Sequence, residues 1–288
     1  MSNSNEEGGP ATFNKIPSCL KWHIDGGKGA FNGKLADWII SLMPPHTHYV
    51  EPYAGGLSVL LAKDPEGVSE VVNDIHGELT NFWHILQDVE YFTDMRRILD
   101  AVPFSKPEWI EAAEIKGKSN YQVNRAVGFF IRCRQSMSGR MDSFAPLSRS
   151  RTRRGMNEQA SAWLTAIEGL SEVHARLKRV VIFNEDALKV IRREDSIHTL
   201  YYCDPPYVDE TRAADDVYEY EYSTKQHLDL LQVLFSIQGK FLLSGYRCNL
   251  YDDFAATCNW NRHDFPIVNN AARGDTKRVM LESIWCNF

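Results

Sequence analysis

The stretch Thr199-Leu200-Tyr201-Tyr202-Cys203-Asp204-Pro205-Pro206-Tyr207 constrains this chain more than any other. Its first half is apolar and aromatic with no breaker, which predicts a short buried strand. It then runs into an acid, two prolines and an aromatic. Neither proline can donate a ladder hydrogen bond, so the strand must end there. What remains is a rigid loop at the carboxyl end of a strand. The loop holds the Asp204 carboxylate, the backbone carbonyl of Pro205 and the Tyr207 ring close together. An acid before two prolines is also a plain turn, and this stretch alone leaves both readings open.

The grouping suits a flat base that bears an exocyclic amine. The two acceptors take the amine protons and the aromatic ring stacks on the base. Asp-Pro-Pro-Tyr after a hydrophobic strand resembles the catalytic motif of amino-methyltransferases acting on DNA, above all the adenine-N6 class. The resemblance makes Asp204, Pro205, Pro206 and Tyr207 catalytic, and it requires a place for S-adenosylmethionine elsewhere in the chain.

Such a place is legible upstream. His48 to Pro52 predicts a strand ending in an acid, followed by the tight turn Tyr53-Ala54-Gly55-Gly56 and a helix over Leu57 to Lys63. Strand, glycine turn and helix in that order build the nucleotide site of a doubly wound sheet. A second strand, Ser69 to Val72, ends in Asn73-Asp74. An acid at that point can accept bonds from both ribose hydroxyls; capping a helix over Glu78 to Leu86 is the plainer alternative. Before all this, Trp22 and Gly26-Gly27-Lys28 precede an amphipathic helix with Leu35, Trp38, Ile39 and Leu42 at helical spacing. Glycines there let the backbone approach a ligand and the lysine adds a point charge, although an ordinary turn reads the same way.

These segments resemble the amino-terminal half of the DNA adenine methyltransferase family. Gly26-Gly27-Lys28 is similar to its motif X, and Glu51-Pro52-Tyr53-Ala54-Gly55-Gly56 to its motif I. Asp74 is similar to its ribose-binding acid, and Asp186, after a strand at Arg179 to Phe183, to the acid near the cofactor adenine. Helix capping by Asp186 is the alternative. The family places an aromatic beside Gly-Gly-Lys; here three residues, His23 to Asp25, separate Trp22 from Gly26. The cofactor set implied is therefore Trp22, Gly27, Lys28, Glu51, Pro52, Tyr53, Ala54, Gly55, Gly56, Asp74, Asp186 and Asp204. The likeness continues through Ser244-Gly245-Tyr246, read as a turn, and the closing strand at Glu282-Ser283-Ile284-Trp285.

Cofactor motifs precede the catalytic motif with a long stretch between them, which resembles the group that inserts its target-recognition segment there. In it Arg132, Arg134, Arg140, Arg149, Arg151, Arg153 and Arg154 fall within 23 residues, opposed by Asp142 alone. The whole chain of 288 residues carries a net charge of −6, so this run stands out locally. Arginine among serines and glycine suits phosphate contact, and arginine can read guanine bidentately. A solvated charged loop is the alternative. Met141 and Phe144 are candidate wedges, with core packing as the plainer role.

The expected architecture is α/β: a doubly wound, mostly parallel methyltransferase-type sheet, which the family resemblance closes with an antiparallel strand, and a mainly helical insert. Residues 1–13 read as a disordered tail. Residues 14–89 and 166–288 form the catalytic domain and 90–165 the DNA target-recognition insert. The six cysteines are scattered, with neither a paired motif nor zinc spacing, and read as reduced, mostly buried thiols. No signal peptide or membrane span is predicted. The resemblance implies transfer of a methyl group from S-adenosylmethionine to adenine N6 in double-stranded DNA, by a cytoplasmic monomer without a metal, and leaves room for a cognate restriction endonuclease. Other acceptors (cytosine N4, RNA, a protein glutamine) and a DNA-binding protein without turnover are the rival readings.

Overall fold

The computed structural model describes residues 14–20, 28–115, 122–207, 222–268 and 279–288. Trp22, Gly26, Gly27, the loop at 117–120 and the acidic segment 208–221 lie outside these residues. The chain begins with α1 (Lys28–Ser41), β1 (His48–Glu51), α2 (Ser58–Ala62), β2 (Ser69–Asn73) and α3 (Gly77–Gln87). Four further helices follow: α4 (Val89–Ala101), α5 (Lys106–Ile115), α6 (Gln122–Gln135) and, after the small hairpin β3 (Thr152–Arg153) and β4 (Met156–Asn157), α7 (Glu158–Glu168). Then come α8 (Leu170–Leu177), β5 (Val180–Phe183), α9 (Ala187–Arg193), β6 (Thr199–Cys203), α10 (Thr224–Ser236), β7 (Lys240–Tyr246), α11 (Asn249–Cys258), β8 (Asn261–Val268) and β9 (Val279–Cys286).

Seven strands form one sheet in the order β5-β2-β1-β6-β7-β9-β8. The first five are parallel, and β9 runs antiparallel between β7 and β8. This is the doubly wound, mostly parallel sheet with an antiparallel closing strand that the sequence predicts. All five residues of β6 are buried, as a central strand covered on both faces requires.

Alternate strand residues supply two cores. Tyr49, Val72, Leu200, Tyr202, Leu242 and Ile284 face α1, α2, α3 and α8. Val50, Val71, Tyr201, Cys203, Leu243 and Trp285 face α9, α10 and α11. The helices of the 90–165 segment share the first core: Phe82 of α3 stacks on Phe130 of α6 at 5.6 Å between ring centres, and Phe130 meets Trp163 of α7 at 5.5 Å. This helical layer therefore continues the sheet's own layer, and Met141 and Phe144 from the chain after α6 pack against the same core.

Local details differ from expectation where tertiary pairing decides. Ser244-Gly245-Tyr246 is strand rather than turn, because it keeps its register against Ile284, Ser283 and Glu282 of β9. β8 is absent from the sequence expectation. Its Arg262, His263, Asp264 and Pro266 do not alternate cleanly, and pairing with β9 defines it. The Ser223–Gln226 capping box at the start of α10 is present in full. His227 is buried, its Nδ1 2.8 Å from the Tyr251 hydroxyl.

Candidate active site

β1 and β6 are parallel neighbours, His48 opposite Thr199 and Val50 opposite Tyr201. The chain winds outward from β1 through β2 to β5 on one side, and from β6 to β7 on the other. The line between β1 and β6 is thus the topological switch point, where loops diverge and leave a crevice at the carboxyl ends of the strands. The 51–56 loop and the 204–207 loop both leave the sheet there. Two motifs separated by some 150 residues of sequence are brought together by strand order alone.

In the second loop Asp204 is half-buried, while Pro205 and Tyr207 are buried. The Tyr207 hydroxyl donates to the Glu282 carboxylate, at 3.0 Å to Oε1 and 3.3 Å to Oε2. Ser244 Oγ donates to the same Oε1 at 2.6 Å. The ring of Tyr246 meets Tyr207 edge-on, 4.6 Å between centres. Sequence reasoning placed Glu282 on the closing strand but assigned it no contact with the catalytic loop. The signal was an acid inside an otherwise apolar strand.

The first loop is held from several sides. Gly55 has φ +47°, a conformation that suits glycine. Its N–H donates to Asp74 Oδ2 at 2.9 Å, and Asp74 Oδ1 accepts from His76 N at 2.9 Å. Burial pushes the Asp74 carboxyl above its usual range, with the His76 and Gly55 N–H groups pulling it back. Trp83 Nε1 donates to Gly55 O at 3.2 Å, and Ser18 Oγ to Gly56 O at 2.6 Å. The chain just ahead of residues 21–27 is therefore fastened to this loop. Asn73, which sequence reasoning read only as Asp74's neighbour, ties three loops together: Nδ2 donates to Pro52 O and Glu185 O, and Oδ1 accepts from Glu185 N. α3 is capped by His76, not by Asp74, which frees Asp74 from the plainer role considered for it. Asp186 caps α9, accepting from Lys189 N at 3.0 Å through Oδ1. Lys28 opens α1. Tyr53 Oη lies 2.8 Å from Tyr222 Oη, so the first loop also touches the chain just after residue 221.

Glu51 ends β1 and is buried, accepting from the Tyr49 hydroxyl at 2.8 Å. Burial pushes its carboxyl up to about 8, and the nearby charges of Glu70 and Asp204 act in the same direction. Cys203 is buried with its thiol pushed far up by burial, so it is no nucleophile. All the cysteines are free thiols, five of them buried.

The family profile of the D12 class N6 adenine-specific DNA methyltransferases matches residues 26–264. The chain belongs to this family. No curated protein sequence gives a significant match. The crystal structure of the SAM dependent methyltransferase from Agrobacterium tumefaciens aligns at 12% identity with a TM-score of 0.38, over 90% of this chain. The chain spans 61% of that protein's length. At this score the fold assignment rests on the strand order described above.

For a D12 class chain the arginine run is the candidate DNA surface, and its members divide. Arg132 lies over the Trp109 ring, 3.5 Å from its centre, and donates to the carbonyls of Trp109 and Met141. Arg134 donates to Ala162 O at 3.2 Å, with its Nε enclosed. Burial lowers the affinity of both guanidinium groups for their proton. Both lie on α6, whose inner face belongs to the core, and both are half-buried. Arg140, Arg149, Arg151, Arg153 and Arg154 are exposed. Arg151 pairs with Glu158 and Arg154 with Glu168, while Arg140, Arg149 and Arg153 have no side-chain partner among the described residues. The β3–β4 turn carries Arg154 at φ +57° and Gly155 at φ +74°, the paired positive angles of a tight hairpin. Phe144 packs on Phe104 and Trp109, and Met141 on the same core, the plainer role considered for both. Among the described residues no helix is long and apolar enough to cross a membrane, and no cluster of metal-ligating side chains occurs.

Proposed function

We propose that this chain transfers a methyl group to N6 of adenine in DNA, with S-adenosylmethionine as donor. One observation carries the reading: the Asp204–Tyr207 loop leaves the central strand at the switch point, on the strand next to the 51–56 loop. S-adenosylmethionine, when bound, supplies a methyl group on a positively charged sulfonium. The residues fit it. Each Asp74 oxygen accepts one backbone N–H and keeps a lone pair for a ribose hydroxyl. The 51–56 loop forms the floor, and Trp22, Gly27, Lys28 and Asp186 complete the set on the family's pattern. Asp204 and the Pro205 carbonyl hold the two amine protons of adenine. The amine lone pair is otherwise delocalised into the ring; holding its protons favours a tetrahedral nitrogen aimed at the methyl. Tyr207 stacks on the base once it is flipped out of the duplex. Orientation and fixed dipoles then do the work, without an enzyme nucleophile.

Tritiated methyl transfer to unmethylated DNA, followed by digestion to nucleosides, tests this. Label is expected in N6-methyl-2′-deoxyadenosine; label in N4-methyl-2′-deoxycytidine, or none, overturns the reading. Asp74→Ala is expected to weaken S-adenosylmethionine binding by roughly 1.5–3 kcal/mol, the scale of hydrogen bonds to a charged group. Unchanged affinity by calorimetry in a folded variant would show that Asp74 serves only its own loop.

The exposed arginines support a DNA surface on the β3–β4 hairpin and the chain before it. Replacing Arg149, Arg151 and Arg153 by alanine is expected to lower affinity for every DNA sequence. The slope of log affinity against log salt should flatten by about 0.9 for each phosphate that is no longer neutralised. Arg134→Ala is expected to lower stability with that slope intact. An unmoved slope in the triple variant would make the hairpin a solvated loop.

A further inference from the structure

We propose that Glu282 is a positioning residue for methyl transfer, acting on the target adenine through Tyr207; the proposal rests on the adenine-N6 reading above. Glu282 lies inside β9, fully buried, in register with Tyr246 of β7. Its Oε1 accepts from Ser244 Oγ at 2.6 Å and from the Tyr207 hydroxyl at 3.0 Å, and its Oε2 receives the same hydroxyl at 3.3 Å. Tyr246 presses on the Tyr207 ring from the side, at 61° between planes. The ring is thus fixed at its tip and its flank by two strands other than its own.

A carboxylate at such a position has a large desolvation cost, and an apolar residue would close the strand without it. What the carboxylate adds is direction. Hydrogen bonds fix the hydroxyl, and so the ring, far more narrowly than apolar contact does. Only Pro205 and Pro206 separate Tyr207 from Asp204, and both have a fixed φ. A rotation of the Tyr207 ring is therefore passed along a stiff loop to the Pro205 carbonyl and the Asp204 carboxylate. Ser244 holds the other side of the same oxygen, so the carboxylate itself cannot swing.

The test is a double-mutant cycle on single-turnover methylation of DNA, using wild type, E282L, Y207F and the double variant, with S-adenosylmethionine affinity measured in parallel. E282L is expected to slow the chemical step on the order of a hundredfold, the cost of about 1 Å of misplacement. Cofactor affinity should hold. E282Q keeps an acceptor oxygen and should stay within about tenfold of wild type, roughly one neutral hydrogen bond. In the Y207F background, E282L should add less than about threefold, because coupled residues do not act additively. Equal factors in both backgrounds, or a loss of stability with the rate unchanged, overturn the role of Glu282. Should E282L fail to fold, the cycle is run with E282Q, where additivity again overturns it. A wild-type protein that transfers no methyl group to DNA overturns the adenine-N6 reading itself, and the proposal with it.

Discussion

In single turnover, Asp204→Ala is expected to methylate DNA on the order of a thousandfold more slowly than wild type, the loss seen for one preorganised electrostatic partner. Under the proposed mechanism, the substitution removes both the charge and the acceptor offered to the adenine amine. Asp204 is half-buried between buried Cys203 and buried Pro205, and neither neighbour carries a carboxylate that could replace it. Asp204→Asn keeps one acceptor oxygen and the shape, and should retain measurably more activity than alanine. Tyr207→Ala should fail differently. Base stacking is worth about 1–3 kcal/mol, and here the hydrogen bonds around Glu282 and Ser244 are disturbed as well. With 2-aminopurine at the target position, Asp204→Asn should still give the fluorescence of a flipped base, and Tyr207→Ala should hold it less well. Wild-type rates in Asp204→Ala would sink the mechanism.

The parts of the site that were legible in sequence are those made by local chemistry. Pro205 and Pro206 must end a strand wherever it lies, and Gly55 must make a turn. The order of strands and turns then implied the parallel sheet, since strand–turn–helix units wind in one way. Asp74 stands out because it ends the second strand, and its carboxylate accepts the Gly55 N–H of the first loop.

What was not legible depends on which face of an element meets which neighbour. Arg132 and Arg134 read like the five arginines after them, since charge and spacing are the same. The difference is that α6 turns its arginines toward the Trp109 ring and the Ala162 carbonyl, whereas the hairpin turns its own outward. Glu282 and Asn73 were visible as residues but not as contacts. Their partners, Tyr207 at 75 positions and Glu185 at 112 positions away, are fixed by sheet order rather than by pattern. β8 was missed for the same reason: an edge strand with polar residues on both faces takes its conformation from the strand it pairs with.

The largest expected loss of stability lies in a buried ion cluster on β2. Glu70 of β2 is buried between two cations, Arg176 of α8 and Lys63 just after α2. Arg176 grips it with two bonds of 2.6 and 2.8 Å and also donates to Leu60 O at 3.0 Å; Lys63 Nζ stands 3.1 Å from Oε1. Burial lowers the Lys63 pKa, and Glu70 works against that shift. Removing the acid leaves two cations in a dry site. Glu70→Ala is therefore expected to destabilise the protein by about 3–5 kcal/mol, the usual result of breaking a buried ion pair. At about 2–4 °C per kcal/mol for a large domain, the melting temperature should fall on the order of 10 °C. Salt should change that difference little, because buried pairs are weakly screened. Replacing Lys63, Glu70 and Arg176 together by Met, Leu and Met should restore or exceed wild-type stability, as the desolvation cost of all three charges disappears. The cluster joins α2, β2 and α8, with Glu70 opposite Tyr49, two residues before the loop that begins at Glu51, so Glu70→Ala should also loosen the proposed cofactor binding while the triple variant does not. A melting temperature within about 2 °C of wild type for Glu70→Ala would mean that water reaches the cluster.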